Sequence, residues 1–190
     1  MRKTTVILAI AAFALGGLVG AYALLAERPL ERGTAAGALR PAWSEVQWPF
    51  PIDQWGKGKA FRCKSSDCGT DVTVYVRAKI GFCNCTTGVS DDDELDRISD
   101  YDLLGNKLAA LGPGRPITVA WMKGRSRPFA IGGAPQAGKS ALSVGFNDRC
   151  DAIVATAVLG TEKPTATEPV VLEFLNSKTV LRWAEVTLGL

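Results

Sequence analysis

The chain contains no histidine. That excludes Ser–His–Asp and Cys–His catalysis by this chain alone, and every metal site that needs imidazole. Net charge is also scarce. The 22 Lys and Arg residues are scattered among 19 Asp and Glu, leaving +3, so composition makes no case for nucleic acid as a partner. Chemistry would have to come from Cys, Lys, Tyr or carboxylates. With 47% apolar and 22% charged residues in a total of 190, the chain is globular, with room for one ordinary domain plus attachments.

Charge is missing altogether from Thr4 to Ala26, just after Arg2 and Lys3. A helix of that length, at about 1.5 Å per residue, crosses a hydrocarbon core of roughly 30 Å. Basic residues on the short N-terminal side favour its retention in the cytoplasm, a bias weakened by Arg28, Arg32 and Arg40 after the span. The expectation is a single-pass inner-membrane anchor in residues 1–26, touching the membrane through residues 4–26, with the rest on the periplasmic side. The competing reading is a cleaved signal peptide, since Ala21-Tyr22-Ala23 resembles a cleavage site, but the apolar run exceeds the usual signal core. Both readings export the domain. Ala12, Gly16 and Gly20 share one helix face, a spacing that permits close helix–helix approach; the composition of signal segments is the simpler account.

Residues 27–56 read as a stalk and entry segment. The first part has no apolar periodicity. The second carries Trp48, Phe50 and Trp55 between Pro49 and Pro51, and packing on the domain is the default expectation for its aromatics. Residues 57–190 then form the exported domain. "AFRCK" and "DVTVYVRAKIGF" predict a hairpin, with Val72, Val74, Val76, Ala78, Ile80 and Phe82 inward and Thr73, Tyr75, Arg77 and Lys79 outward as a modest cationic surface, beside Arg62 and Lys64. Ser90 and Asp93 have capping-box spacing at the start of a helix whose inward stripe is Leu95 and Ile98. Further strands follow in "ITVAWM", "RPFAI", "ALSVGF", "AIVATAVL" and "VVLEFL", with "TEKPTATEP" as a loop. Residues 176–190 fit either a helix capped by Asn176 or Ser177 or a strand. Consecutive short strands with one or two helices predict an α+β domain, a mainly antiparallel sheet with helices on one face.

"GGAPQAGKS" spells a P-loop from Gly133 to Ser140. A working P-loop needs a helix starting at the lysine, whereas Leu142, Val144 and Phe146 alternate as a strand. Residues 132–139 are therefore expected to join two antiparallel strands, and no nucleotide site is expected. The five cysteines, Cys63, Cys68, Cys83, Cys85 and Cys150, all follow the export segment, where disulfides are the default. Cys63 and Cys68 flank a turn between paired strands and are placed to bridge. Cys83 and Cys85 are too close in sequence to bridge without strain, so one of them reaches Cys150; the bridging set assigned is Cys63, Cys68, Cys85 and Cys150. The alternative gathers Cys63, Cys68, Cys83 and Cys85 around copper or zinc, or uses the C-x-C pair in redox chemistry, though the spacing lacks C-x2-C knuckles. The sequence therefore favours a non-enzymatic, membrane-tethered periplasmic binding or accessory domain without cofactor, its partner a membrane protein complex. A thiolate metal or thiol-redox protein is the alternative.

Overall fold

The computed structural model describes residues 41–104, 107–133, 138–160 and 162–190. The anchor expected over residues 1–26 and the first part of the stalk lie outside the described residues. Among those described, no helix is long and apolar enough to cross a membrane.

Eight strands form one antiparallel sheet: β1 (Trp43–Val46), β2 (Lys59–Cys63), β3 (Val72–Lys79), β4 (Lys107–Ala110), β5 (Arg115–Val119), β6 (Met122–Gly132), β7 (Ser140–Asp148) and β8 (Asp151–Leu159). Their order is β1-β2-β3-β8-β7-β6-β4, and β5 pairs with the other end of β6. A one-turn helix, α1 (Ser65–Cys68), links β2 to β3. Helix α2 (Asp92–Ile98) and a 3-10 turn (Tyr101–Leu104) lie between β3 and β4, and α3 (Pro164–Leu175) and α4 (Lys178–Leu188) close the chain.

The centre of the sheet is the β7–β8 hairpin. Almost every residue of β7 and β8 is buried, on both parities, which is the signature of strands covered on both faces. On one face α3 and α4 pack Val171, Phe174, Leu175, Val180 and Ala184 against Val72, Val74, Val76, Leu142, Val144 and Ile153. Phe174 stacks on Trp43 with ring centroids 4.2 Å apart. On the other face α2 buries Leu95 and Ile98 with Val89, Ala152 and Val154. Gly145 makes that approach possible, because a Cβ there would fall 2.9 Å from Leu95 Cδ1 and 3.0 Å from Ile98 Cδ1.

The mainly antiparallel α+β architecture follows the sequence reading, as do the β2–β3 hairpin and the inward Leu95 and Ile98. Several expectations are corrected. Helices cover both faces of the sheet, not one. "VVLEFL" is helical, and so is most of the "TEKPTATEP" loop: Pro164 suits the first helical turn, and Val171, Phe174 and Leu175 meet the sheet at helical spacing. Of the two conformations left open for residues 176–190, the helix is the one formed, over 178–188, with the Ser177 side chain accepting from the Val180 N–H. The α2 cap is Asp91, which accepts from the Glu94 N–H at 2.8 Å, and not Ser90. Within the expected stalk and entry segment, Trp43–Val46 forms strand β1, which pairs with β2. Trp48 and Phe50 pack edge-on against Tyr75.

The largest correction concerns Arg77 and Lys79. Expected on a solvated face, they are 3% and 4% exposed, while Ile80, expected inward, is 53% exposed. The alternation of β3 is real, but its polar side is roofed by residues 48–56 and by the chain beyond α2.

Candidate functional site

Cys63 ends β2 and Cys68 ends α1. Their sulfurs are 1.97 Å apart and their Cα atoms 6.0 Å apart. Cys85, in the loop after β3, meets Cys150, in the β7–β8 turn, with Cα atoms 4.2 Å apart. Two cysteine pairs thus lie at disulfide distance, compatible with a disulfide-stabilised exported domain. Cys83 is a buried free thiol. Its N–H donates to the Cys150 carbonyl (3.1 Å) and its thiol to the Arg149 carbonyl (3.2 Å). Burial, with Glu94 and Asp151 nearby, pushes the Cys83 thiol up to about 11. A reactive cysteine shows the opposite shift.

The four-sulfur alternative is not assembled. Cys63 and Cys68 sit before the eight residues of β3, and Cys83 and Cys85 after them. At about 3.3 Å per residue the strand separates the pairs by roughly 25 Å, whereas thiolates sharing a zinc ion each lie about 2.3 Å from it. Among the described residues, no group of three or more potential ligands gathers. The P-loop match resolves in the same geometric way. β6 ends at Gly132 and strand β7 begins at Ser140, so no helix N-terminus follows Lys139 to receive phosphate.

The polar face of the sheet carries a charged clamp. Asp92 and Asp96 lie on α2 and Asp100 just beyond it, each four residues from the last. Asp92 pairs with Arg125, and Asp96 with Arg127 at 2.6 Å. Asp100 binds the buried Arg77 and, at 2.9 Å, Lys79. Arg77 also reaches both oxygens of Asp53, at 2.8 and 2.7 Å. Its hydrogen bonds hold the Asp53 carboxyl below the usual range. Burial pushes Asp92 up, but the Gly114 N–H, Arg125 and Arg127 together bring it below its ordinary value. Burial also raises the Tyr101 phenol, which donates to Asp96 at 2.9 Å.

Beside the clamp lies a cleft of about 400 Å³ under residues 87–90, lined among others by Thr87, Val89, Ser90, Thr118, Lys123 and Asn147. Its roof is fixed from below. Asn147 Oδ1 accepts from the Val89 N–H at 2.9 Å, and its Nδ2 donates to the Arg149 carbonyl at 2.8 Å. Asn147 and the Cys85–Cys150 pair therefore tie the same loop to the same turn.

No protein-family model and no curated protein matches the chain. The functional reading therefore rests on residues and geometry. The lining combines three hydroxyls, one ammonium group and apolar walls, a set suited to holding a ligand. Sequence reasoning missed this cleft. Its residues come from three separate stretches, and only the register that puts Thr118, Lys123 and Asn147 on one row of the sheet brings them together.

Proposed function

We propose that the chain is a membrane-tethered exported domain on the periplasmic side of the inner membrane, binding a partner or ligand as an accessory to a membrane protein complex, without catalysing a reaction. The observation that carries this reading is the coincidence of two cysteine pairs at disulfide distance with the uncharged run from Thr4 to Ala26 upstream of them. Disulfides persist in oxidising compartments, and the uncharged run supplies both export and tether. The buried Cys83 thiol and the separation of the two cysteine pairs argue against the thiolate metal or redox alternative.

The test is topological. A reporter active only outside the cytoplasm, fused after Leu190, is expected to give signal, and the chain is expected to sediment with membranes and resist carbonate extraction. Non-reducing peptide mapping of that material is expected to yield Cys63–Cys68 and Cys85–Cys150 peptides. A silent reporter, or fully reduced cysteines in freshly blocked cells, overturns the reading.

A further inference from the structure

We infer that the cleft under residues 87–90 binds a small monocarboxylate through Lys123. This rests on the reading of the chain as a binding domain, and names the ligand class; it does not depend on where the domain resides.

The argument starts from charge pairing across one face of the sheet. Cross-strand partners share a face, so the register places Arg62, Arg77, Lys79, Lys123, Arg125 and Arg127 on the side that carries α2. Five of these six cations have a carboxylate. Arg62 pairs with Asp71, Arg77 with Asp53 and Asp100, Lys79 with Asp100, Arg125 with Asp92, and Arg127 with Asp96. Among the described residues, no carboxylate pairs with Lys123. It is also the one of the six that lines this cleft. Lys123 is thus a cation of this face that lines a cavity and has no acid within ion-pairing distance among the described residues.

The lining defines that acid. A lysine ammonium is a compact point charge and matches a single carboxylate without demanding the planar fork that arginine reads. Thr118, the cross-strand partner of Lys123, adds a hydroxyl on the same row of the sheet, while the Thr87 and Ser90 hydroxyls already donate to the Gly88 carbonyl and the Asp91 carboxylate. Val89, 3% exposed, offers an apolar wall for a short aliphatic tail. About 400 Å³ lies in the range of small-molecule sites, and such sites combine apolar walls with few placed polar groups. Asn147 is committed to the fold, its amide oxygen accepting from the Val89 N–H and its amide nitrogen donating to the Arg149 carbonyl. It acts as a rigid floor that keeps the roof at a fixed height.

The experiment is saturation-transfer NMR on the full-length chain in detergent, with butyrate as the probe and butyramide as its uncharged isostere. Butyrate is expected to show saturable transfer. Lys123→Gln is expected to raise its apparent Kd by roughly tenfold or more, the usual scale for losing a charge-assisted hydrogen bond. Lys178→Gln, which removes an exposed lysine on α4, is expected to leave the Kd unchanged. An unaltered melting temperature in Lys123→Gln shows that the fold is intact. The inference is overturned by an absence of saturable transfer, by butyramide binding as well as butyrate, or by equal affinity in Lys123→Gln. These outcomes are independent of the topology test, so a failure of either is separately visible.

Discussion

Where α3 and α4 cover the sheet, contact is made by aliphatic and aromatic side chains, with an ion pair at the margin between the buried Glu168 and the exposed Arg115. Where α2 covers it, two fully buried apolar residues, Leu95 and Ile98, share the work with three carboxylates and four cations. The lengths explain the contrast. Two helices of 12 and 11 residues present enough apolar area to dock by burial, at about 1.5–3 kcal/mol per large side chain. A helix of seven residues is marginal by itself, and two such side chains do not fix it. Ion pairs and the nearby Cys85–Cys150 pair locate it instead. Apolar contacts tolerate repacking, while buried charges accept one register. The α2 side of the sheet is consequently the specified side, and it is the side that carries the cleft.

Breaking the clamp at its most buried point has the largest expected effect. Asp100→Ala leaves Lys79 buried without its acid and Arg77 with Asp53 alone. The expected loss is roughly 3–5 kcal/mol, read as a lower urea midpoint. Adding Arg77→Met and Lys79→Met to Asp100→Ala is expected to recover most of it, since an apolar replacement removes the uncompensated charge. A single-variant loss below about 1 kcal/mol would mean that the clamp is not desolvated, and the contrast between faces would fall with it.

The two bridges sharpen the comparison next. Cys85 and Cys150 are 65 residues apart in sequence, Cys63 and Cys68 only 5. The loop-entropy model gives about 4 kcal/mol for the long closure and somewhat over 2 for the short one. Paired alanine variants are therefore expected to order with the Cys85/Cys150 pair as the more destabilised in calorimetry. Equal or reversed losses would show that the α2 side does not depend on its staple.

The smallest effect is local. Asp53, Asp92 and Glu94 are all held below their ordinary values by cationic or N–H partners. A carboxylate depressed in the folded state contributes stability that is present above the ordinary carboxylate range and lost as pH falls below it. Hydrogen exchange at about pH 3 is accordingly expected to show reduced protection of the Ser99 amide at the end of α2, while the Asn176 amide that closes α3 keeps its protection. Simultaneous loss at both positions would erase the distinction.

The hairpin of β2 and β3 was legible because alternation over "DVTVYVRAK" is a local signal, and the Cys63–Cys68 pairing followed from it. The burial of Arg77 and Lys79 was not, because alternation reads the same whether the polar side faces water or faces Asp53 and Asp100, both more than 20 residues distant. "VVLEFL" failed for another reason. A short apolar run does not separate strand from buried helix; Pro164 at the helix start and the contact of Phe174 with Trp43 decide it. The cleft left no local trace, since Thr118, Lys123 and Asn147 become neighbours only through sheet register.

Strand β3 pairs with β8, matching Val72 to Leu159 and Lys79 to Ala152. Synthesis proceeds from the N-terminus, so β1, β2 and β3 exist as a meander long before the strand that completes them. During that interval β3 is a bare edge of valines, the kind of template that recruits foreign strands. Arg77 and Lys79, neutralised in the finished molecule, are the charged residues on that edge, and charge on an edge strand opposes pairing with foreign strands. The Cys63–Cys68 bridge can close at this early stage, while Cys85 must wait for Cys150. The same two cations that meet Asp53 and Asp100 in the mature fold thus carry the charge of the β3 edge for as long as β8 is absent.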